Sequence, residues 1–124
     1  MTVRYPDEQA RRNRLLAELD RILPLLVDED TELVVLFGSL AGGRLRSTSD
    51  LDILVVRTDN RRPAQRMDEL YRRLEPRVAL DLIVYTPEEL EEARVNSSFI
   101  RHALENGKIL YDRSKAVEGA RKKH

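Results

Sequence analysis

The chain contains no cysteine, no tryptophan, two histidines and only six other aromatic residues among its 124 positions. The lack of cysteine removes disulfides, thiolate metal sites and cysteine nucleophiles together. His102 and the terminal His124 are too few for a histidine-rich metal centre. No apolar stretch approaches the 18 or so residues that a membrane span requires, so no membrane association is expected. Met1 to Asp7 has no secretory apolar core, which makes the cytoplasm the expected compartment. A surplus of charge is missing too: 22 basic residues balance 22 acidic ones. Without a strong net field, non-specific nucleic-acid binding is not favoured, although a local basic patch stays open. The length suits one domain with a single core.

Two apolar runs carry most of the information. Leu33-Val34-Val35-Leu36-Phe37 reads as a buried strand and leads straight into Gly38-Ser39. Ten residues later, Asp50-Leu51-Asp52 opens the second run, which continues to Val56. Strand side chains alternate, so Asp50 and Asp52 are expected on one face, where two like charges repel. A cation between them explains the pair, and a solvated turn at a loop-to-strand junction is the plainer alternative. A third acid, Asp81, opens the run Leu82-Ile83-Val84-Tyr85. It shares a face with Ile83 and Tyr85, opposite Leu80, Leu82 and Val84. It reads either as a third metal ligand or as an exposed acid at a strand start. A strand that turns through Gly38 into a helix start capped by Ser39 offers backbone N–H groups to a phosphate. Carboxylates for a hard cation beside a phosphate cradle point to nucleotide chemistry.

Gly38-Ser39, the ten-residue spacer, Asp50-x-Asp52 and Asp81 together resemble the nucleotidyltransferase domain of the DNA polymerase β superfamily. The short length and the run Ser49-Asp50-Leu51-Asp52-Ile53-Leu54-Val55 are most similar to the minimal nucleotidyltransferases (MNT) of prokaryotes. The resemblance covers about residues 7–111. It implies an α/β (α+β) fold with a small mixed sheet covered by helices, transfer of AMP from ATP, and two magnesium ions held by Asp50, Asp52 and Asp81. It also implies triphosphate contacts from Gly38 and Ser39. The family often places a polar residue after the serine, where this chain has Leu40. Arg44 and Arg46 in the same loop are either substitutes for it or simply solvated. Minimal enzymes of this kind commonly act with a helical HEPN-domain ribonuclease toxin, as the antitoxin that adenylylates it. The resemblance therefore implies a HEPN toxin as partner, in a hetero-oligomer or alongside homo-oligomerisation. A contact-only antitoxin, and a small-molecule nucleotidyltransferase with a separate acceptor subunit, remain the alternatives. So short a chain is expected to borrow its acceptor site.

The remaining pattern supplies the frame. Residues 7–27 predict an amphipathic helix with Leu15, Leu16, Leu19, Ile22, Leu23 and Leu26 inward and Arg11, Arg12, Arg14, Glu18 and Arg21 outward. Pro24 is expected to tighten its last turn. Leu40 to Leu45 suggests a short helical turn. Pro63 starts a helix to Leu74, with Met67, Leu70, Tyr71 and Leu74 as its buried stripe. Thr86-Pro87-Glu88-Glu89 is the clearest helix start in the chain. A helix over 97–106 ends at Asn106-Gly107, and Lys108 to Tyr111 predicts a last short strand. Residues 1–111 thus form the domain, and the polar, basic 112–124 are expected to fray. His102 is expected to face solvent. No dinucleotide fingerprint or P-loop occurs, since neither pattern matches around Gly38.

Overall fold

The structure, a computed structural model, describes residues 5–38, 40–41 and 50–115, with the side chains of residues 5–7 left aside. Eight elements follow one another: helix α1 (Tyr5–Leu26), strands β1 (Thr31–Phe37) and β2 (Leu51–Arg57), helix α2 (Pro63–Leu74), strand β3 (Leu80–Tyr85), helices α3 (Pro87–Asn96) and α4 (Ser98–Asn106), and strand β4 (Lys108–Asp112). The strands form one sheet in the order β3-β2-β1-β4. β1 runs antiparallel to both β2 and β4, while β2 and β3 are parallel. The sheet is therefore mixed, as expected. The parallel pair needs a crossover, and α2 supplies it.

Alternation along the strands divides the core in two. Val34, Leu36, Leu51, Ile53, Val55, Leu82 and Val84 face α1 and α2. Val35, Phe37, Leu54 and Val56 face Leu90 of α3 and Ile100 and Ala103 of α4. Covered on both sides, β2 is buried along its whole length, which is why its sequence is nearly continuously apolar. Its two charged residues stand towards opposite ends. Arg57 is neutralised by Asp28 at 2.9 Å, with Asp30 and Asp59 each at 3.7 Å. Asp52, by contrast, has another acid as its register partner on β3, namely Asp81.

Most predicted boundaries hold. Pro63 opens α2, Thr86 caps α3 in a capping box with Glu89, and Ser97 caps α4. Pro24 sits inside α1 without ending it. His102 is exposed. β1 begins two residues before the predicted start, at Thr31, and β4 extends to Asp112. Residues 113–115 then turn helically, and 116–124 lie outside the described residues. Gly107 is a C-cap for a different reason from the one expected. Its backbone is extended, at φ −78°. A Cβ there would meet Ala103 O at 2.5 Å, Val35 Cγ1 at 2.7 Å and Leu36 O at 2.8 Å, so glycine permits close packing of α4 on β1.

The inward face of α1 departs from the expectation. Leu16 is exposed, whereas Glu18 is buried and Arg21 half-buried. Glu18 accepts both guanidinium bonds of Arg21, at 2.7 and 2.8 Å, and one from the Arg77 N–H at 2.7 Å. Arg21 in turn donates to Leu74 O and Glu75 O at the end of α2. Helix periodicity cannot reveal this, because the contacts that bury the Glu18–Arg21 pair, to Leu74, Glu75 and Arg77, lie more than fifty residues away in the chain. The Arg21 hydrogen bonds, opposed by burial and aided by the Arg77 amide, hold the Glu18 carboxyl at about 2, against an ordinary 4.5. Its contribution to stability is thus present above pH 4.5 and is lost as pH falls from there towards 2. Glu18→Gln is expected to flatten the acid limb of stability measured by urea midpoints across that interval. An unchanged acid limb would remove Glu18 from the account.

Candidate active site

The residues singled out in the sequence gather at one end of the sheet. β1 ends at Phe37, whose register partner on β2 is Asp52, and Asp52 in turn pairs with Asp81 on β3. Phe37, Asp52 and Asp81 thus form a row across three strands. By strand parity both acids lie on the α3/α4 side of the sheet, in line with Leu54, Val56, Ile83 and Tyr85. Asp52 is buried, at 3% exposure, whereas Asp81 is exposed. Partial desolvation, with the charge of Asp52 added to it, pushes the Asp81 carboxyl above its usual range. A carboxyl raised in this way favours proton uptake by the folded state, so Asp81 opposes stability above its folded value.

The edge strand that carries Asp81 is held by a residue the sequence analysis assigned only to packing. Tyr71 of α2 donates its hydroxyl proton to Leu80 O at 2.8 Å and accepts from Leu82 N–H at 3.2 Å. One phenol therefore stands in for the missing neighbouring strand on either side of Asp81. Buried Arg66 adds a second brace. It binds both oxygens of Glu89 at 2.7 and 2.8 Å and donates to Arg61 O at 3.0 Å, fastening α2 to α3. Arginine at that position carries no sequence signal, because its partner is on another helix.

Gly38 leaves β1 with φ +80°, the left-handed region in which side chains are strained. A Cβ at this position would lie 2.2 Å from Asp52 Oδ2 and 2.9 Å from its Cγ. The glycine is thus required twice, once by the turn and once by the carboxylate packed against it. Ser39, Gly42, Gly43, Arg44 and Arg46 lie outside the described residues, as does most of the predicted turn from Leu40 to Leu45.

Asp50 precedes the first residue of β2 and is arranged differently from the other two acids. Its Oδ1 accepts from Arg11 Nη2 of α1 at 2.8 Å, and its Oδ2 accepts from Ala79 N–H at 3.1 Å. The backbone closes the same junction, with Asp50 N–H donating to Ala79 O at 2.7 Å. The Ala79 amide first, then Arg11, hold the Asp50 carboxyl below its usual range. The structure therefore brings Asp52 and Asp81 together and ties Asp50 to α1. Among the described residues no three acidic or histidine side chains form a group that would hold a metal ion as they stand. The donor set nonetheless suits a hard divalent cation. It consists of carboxylate oxygens from two residues in register, one buried against the Gly38 turn and the other exposed.

A model of the family described as polymerase beta, nucleotidyltransferase matches residues 20–116, most of the chain and every strand of the sheet. The chain belongs to this nucleotidyltransferase family. Among solved structures, a nucleotidyltransferase of Sulfolobus solfataricus shares 24% identity over 86% of this chain and 87% of its own, with a TM-score of 0.60. A structure of the toxin–antitoxin pair MntA-HepT matches at 23% identity over 89% and 77% of the two chains, with a TM-score of 0.41. Tri-AMPylated Shewanella oneidensis HEPN toxin in complex with MNT antitoxin matches at 20% identity over 89% and 76%, with a TM-score of 0.42. No curated protein matches. The Sulfolobus likeness is one of fold and agrees with the mixed sheet. Membership of the family implies a nucleotide substrate and, typically, a divalent metal. Among the described residues no helix is long and apolar enough to cross a membrane.

Proposed function

We propose that this nucleotidyltransferase moves AMP from ATP to a hydroxyl group of a partner protein, with the row of Asp52 and Asp81 beside Gly38 as its reacting centre. The observation that carries the reading is the packing of a positive-φ glycine against a buried aspartate whose register partner is a second acid. A fold that only needed stability would not place like charges side by side at a strand end.

Asp52 and Asp81, joined by Asp50, would hold two magnesium ions. Bound there, such ions would supply charge neutralisation for the triphosphate during in-line displacement at phosphorus. The Gly38 backbone N–H, Ser39 and Arg44 are assigned to the phosphates of the nucleotide. The acceptor oxygen forms a bond to the α-phosphorus while the bond to the bridging oxygen breaks, and pyrophosphate departs. The acceptor's proton passes to Asp81, the exposed member of the row. No covalent intermediate on the protein is required.

Asp81→Asn is expected to separate chemistry from binding: MgATP still binds, while AMP transfer falls about a hundredfold, as loss of a positioned base typically does. Near-normal transfer would return Asp81 to an exposed strand-start acid.

The resemblance to minimal nucleotidyltransferases supports a HEPN-domain toxin, modified on a tyrosine in the cytoplasm, as the partner. Phe99, partly exposed at the start of α4, packs edge-to-face on Phe37 with ring centroids 5.7 Å apart and offers an apolar surface adjoining the row of acids. Co-expression of the neighbouring HEPN protein with wild type or Asp50→Asn/Asp52→Asn, followed by intact mass measurement, tests the assignment. A gain of one or more AMP units with wild type alone is expected. An unmodified partner neutralised equally by both forms would leave the contact-only antitoxin as the better account.

A further inference from the structure

Arg11 is an exposed residue of α1, the helix that packs against the sheet face away from Asp52 and Asp81. Its guanidinium nevertheless reaches the end of the sheet and meets Asp50 Oδ1 at 2.8 Å. We propose that Arg11 is a substrate-positioning residue: it stands at Asp50 in place of the cation, and on entry of a divalent ion passes to the phosphates of the nucleotide. The inference rests on the reading of Asp50 as a metal-site residue.

The two bonds to Asp50 differ in kind. The Ala79 amide belongs to the backbone just before β3, so it fixes the carboxylate in place. Arg11 is a long side chain, 52% exposed, and its carboxylate partner is 32% exposed. An ion pair that open to water is weak and readily exchanged. A divalent cation carries twice the charge and prefers carboxylate oxygen, so it displaces the guanidinium while the amide contact keeps Asp50 oriented. The displaced group does not leave the neighbourhood, because its stem is rooted on α1. Arg14, one helical turn further on the same face, adds to the positive field at Asp50. A planar guanidinium suits paired phosphate oxygens better than an ammonium does.

Arg11→Gln should therefore change two affinities in opposite directions. Binding of Mn2+ alone, read from its free-ion electron paramagnetic resonance signal, is expected to tighten roughly two- to five-fold, the scale of a lost exposed ion pair. Binding of α,β-methylene-ATP in the presence of Mn2+, measured by calorimetry, is expected to weaken several-fold. Arg11→Lys, which keeps the charge, is expected to bind Mn2+ as wild type does and the analogue at an intermediate affinity. A purely structural Arg11 would leave Mn2+ affinity unchanged or lower it, and either result overturns the proposal. Unchanged affinity for the analogue overturns it as well. Should wild type bind neither Mn2+ nor the analogue, the metal-site reading fails first and the Arg11 inference falls with it.

Discussion

Asp52→Asn is expected to abolish AMP transfer, with a loss of about three orders of magnitude, while leaving the fold intact. The loss follows from removing a charge that would hold a catalytic cation, a role worth several kcal/mol in the transition state. The intact fold follows from what surrounds the residue. Asp52 is buried with Asp81 as its register partner, so neutralising it relieves repulsion. The Asp81 carboxyl should fall back towards its ordinary range, since Asp52 is one of the two causes that raise it. Stability should then decline less as pH rises past the Asp81 titration, because a carboxyl raised in the folded state favours folding most at low pH. Denaturant midpoints as a function of pH, set beside transfer rates, check both halves. A variant that unfolds, or one that transfers AMP normally, would contradict the assignment.

Gly38→Ala carries the second large effect. Alanine at φ +80° is strained, and its Cβ would come within 2.2 Å of Asp52 Oδ2. The left-handed backbone and the overpacking together should cost about 2–4 kcal/mol of stability. If Asp52 swings aside to relieve the contact, nucleotide binding is lost even where the protein stays folded. The two contributions separate in a double-mutant cycle. With Asp52→Gly in the background the overpacking disappears, and only the backbone term of about 1–2 kcal/mol should remain. Equal costs in both backgrounds would mean that Gly38 serves the turn alone.

The parts of this protein that could be read from its sequence are those governed by local chemistry. Pro63 and the Thr86-Pro87-Glu88-Glu89 box fix helix starts within a few residues, and the structure begins α2 and α3 there. The alternation of Leu80, Leu82 and Val84 against Asp81, Ile83 and Tyr85 anticipates the two faces of β3. The row of Asp52 and Asp81 was legible as two acids at strand starts, although only the parallel register of β2 and β3 makes them neighbours. What stayed hidden depends on partners distant in sequence. Arg11 reads as one of several outward arginines, yet it meets Asp50 across 39 positions. Glu18 reads as an outward acid, yet it is buried and accepts from the Arg77 amide. Arg66 and Arg57 carry no signal in the sequence, because Glu89 and Asp28 are brought to them only by the fold. A helical period reports which face a residue occupies, and it is silent about contacts that the fold brings from distant parts of the chain.

The central claim is that a nucleotide and its metal are held by the acids beside Gly38. Calorimetric titration of α,β-methylene-ATP into wild type and Asp52→Asn, each with and without magnesium, tests it most directly. The account predicts binding by wild type that requires magnesium and weakens strongly in Asp52→Asn, with both proteins showing the same circular dichroism. Binding of equal strength by the two proteins, or binding by wild type that is indifferent to magnesium, would contradict it.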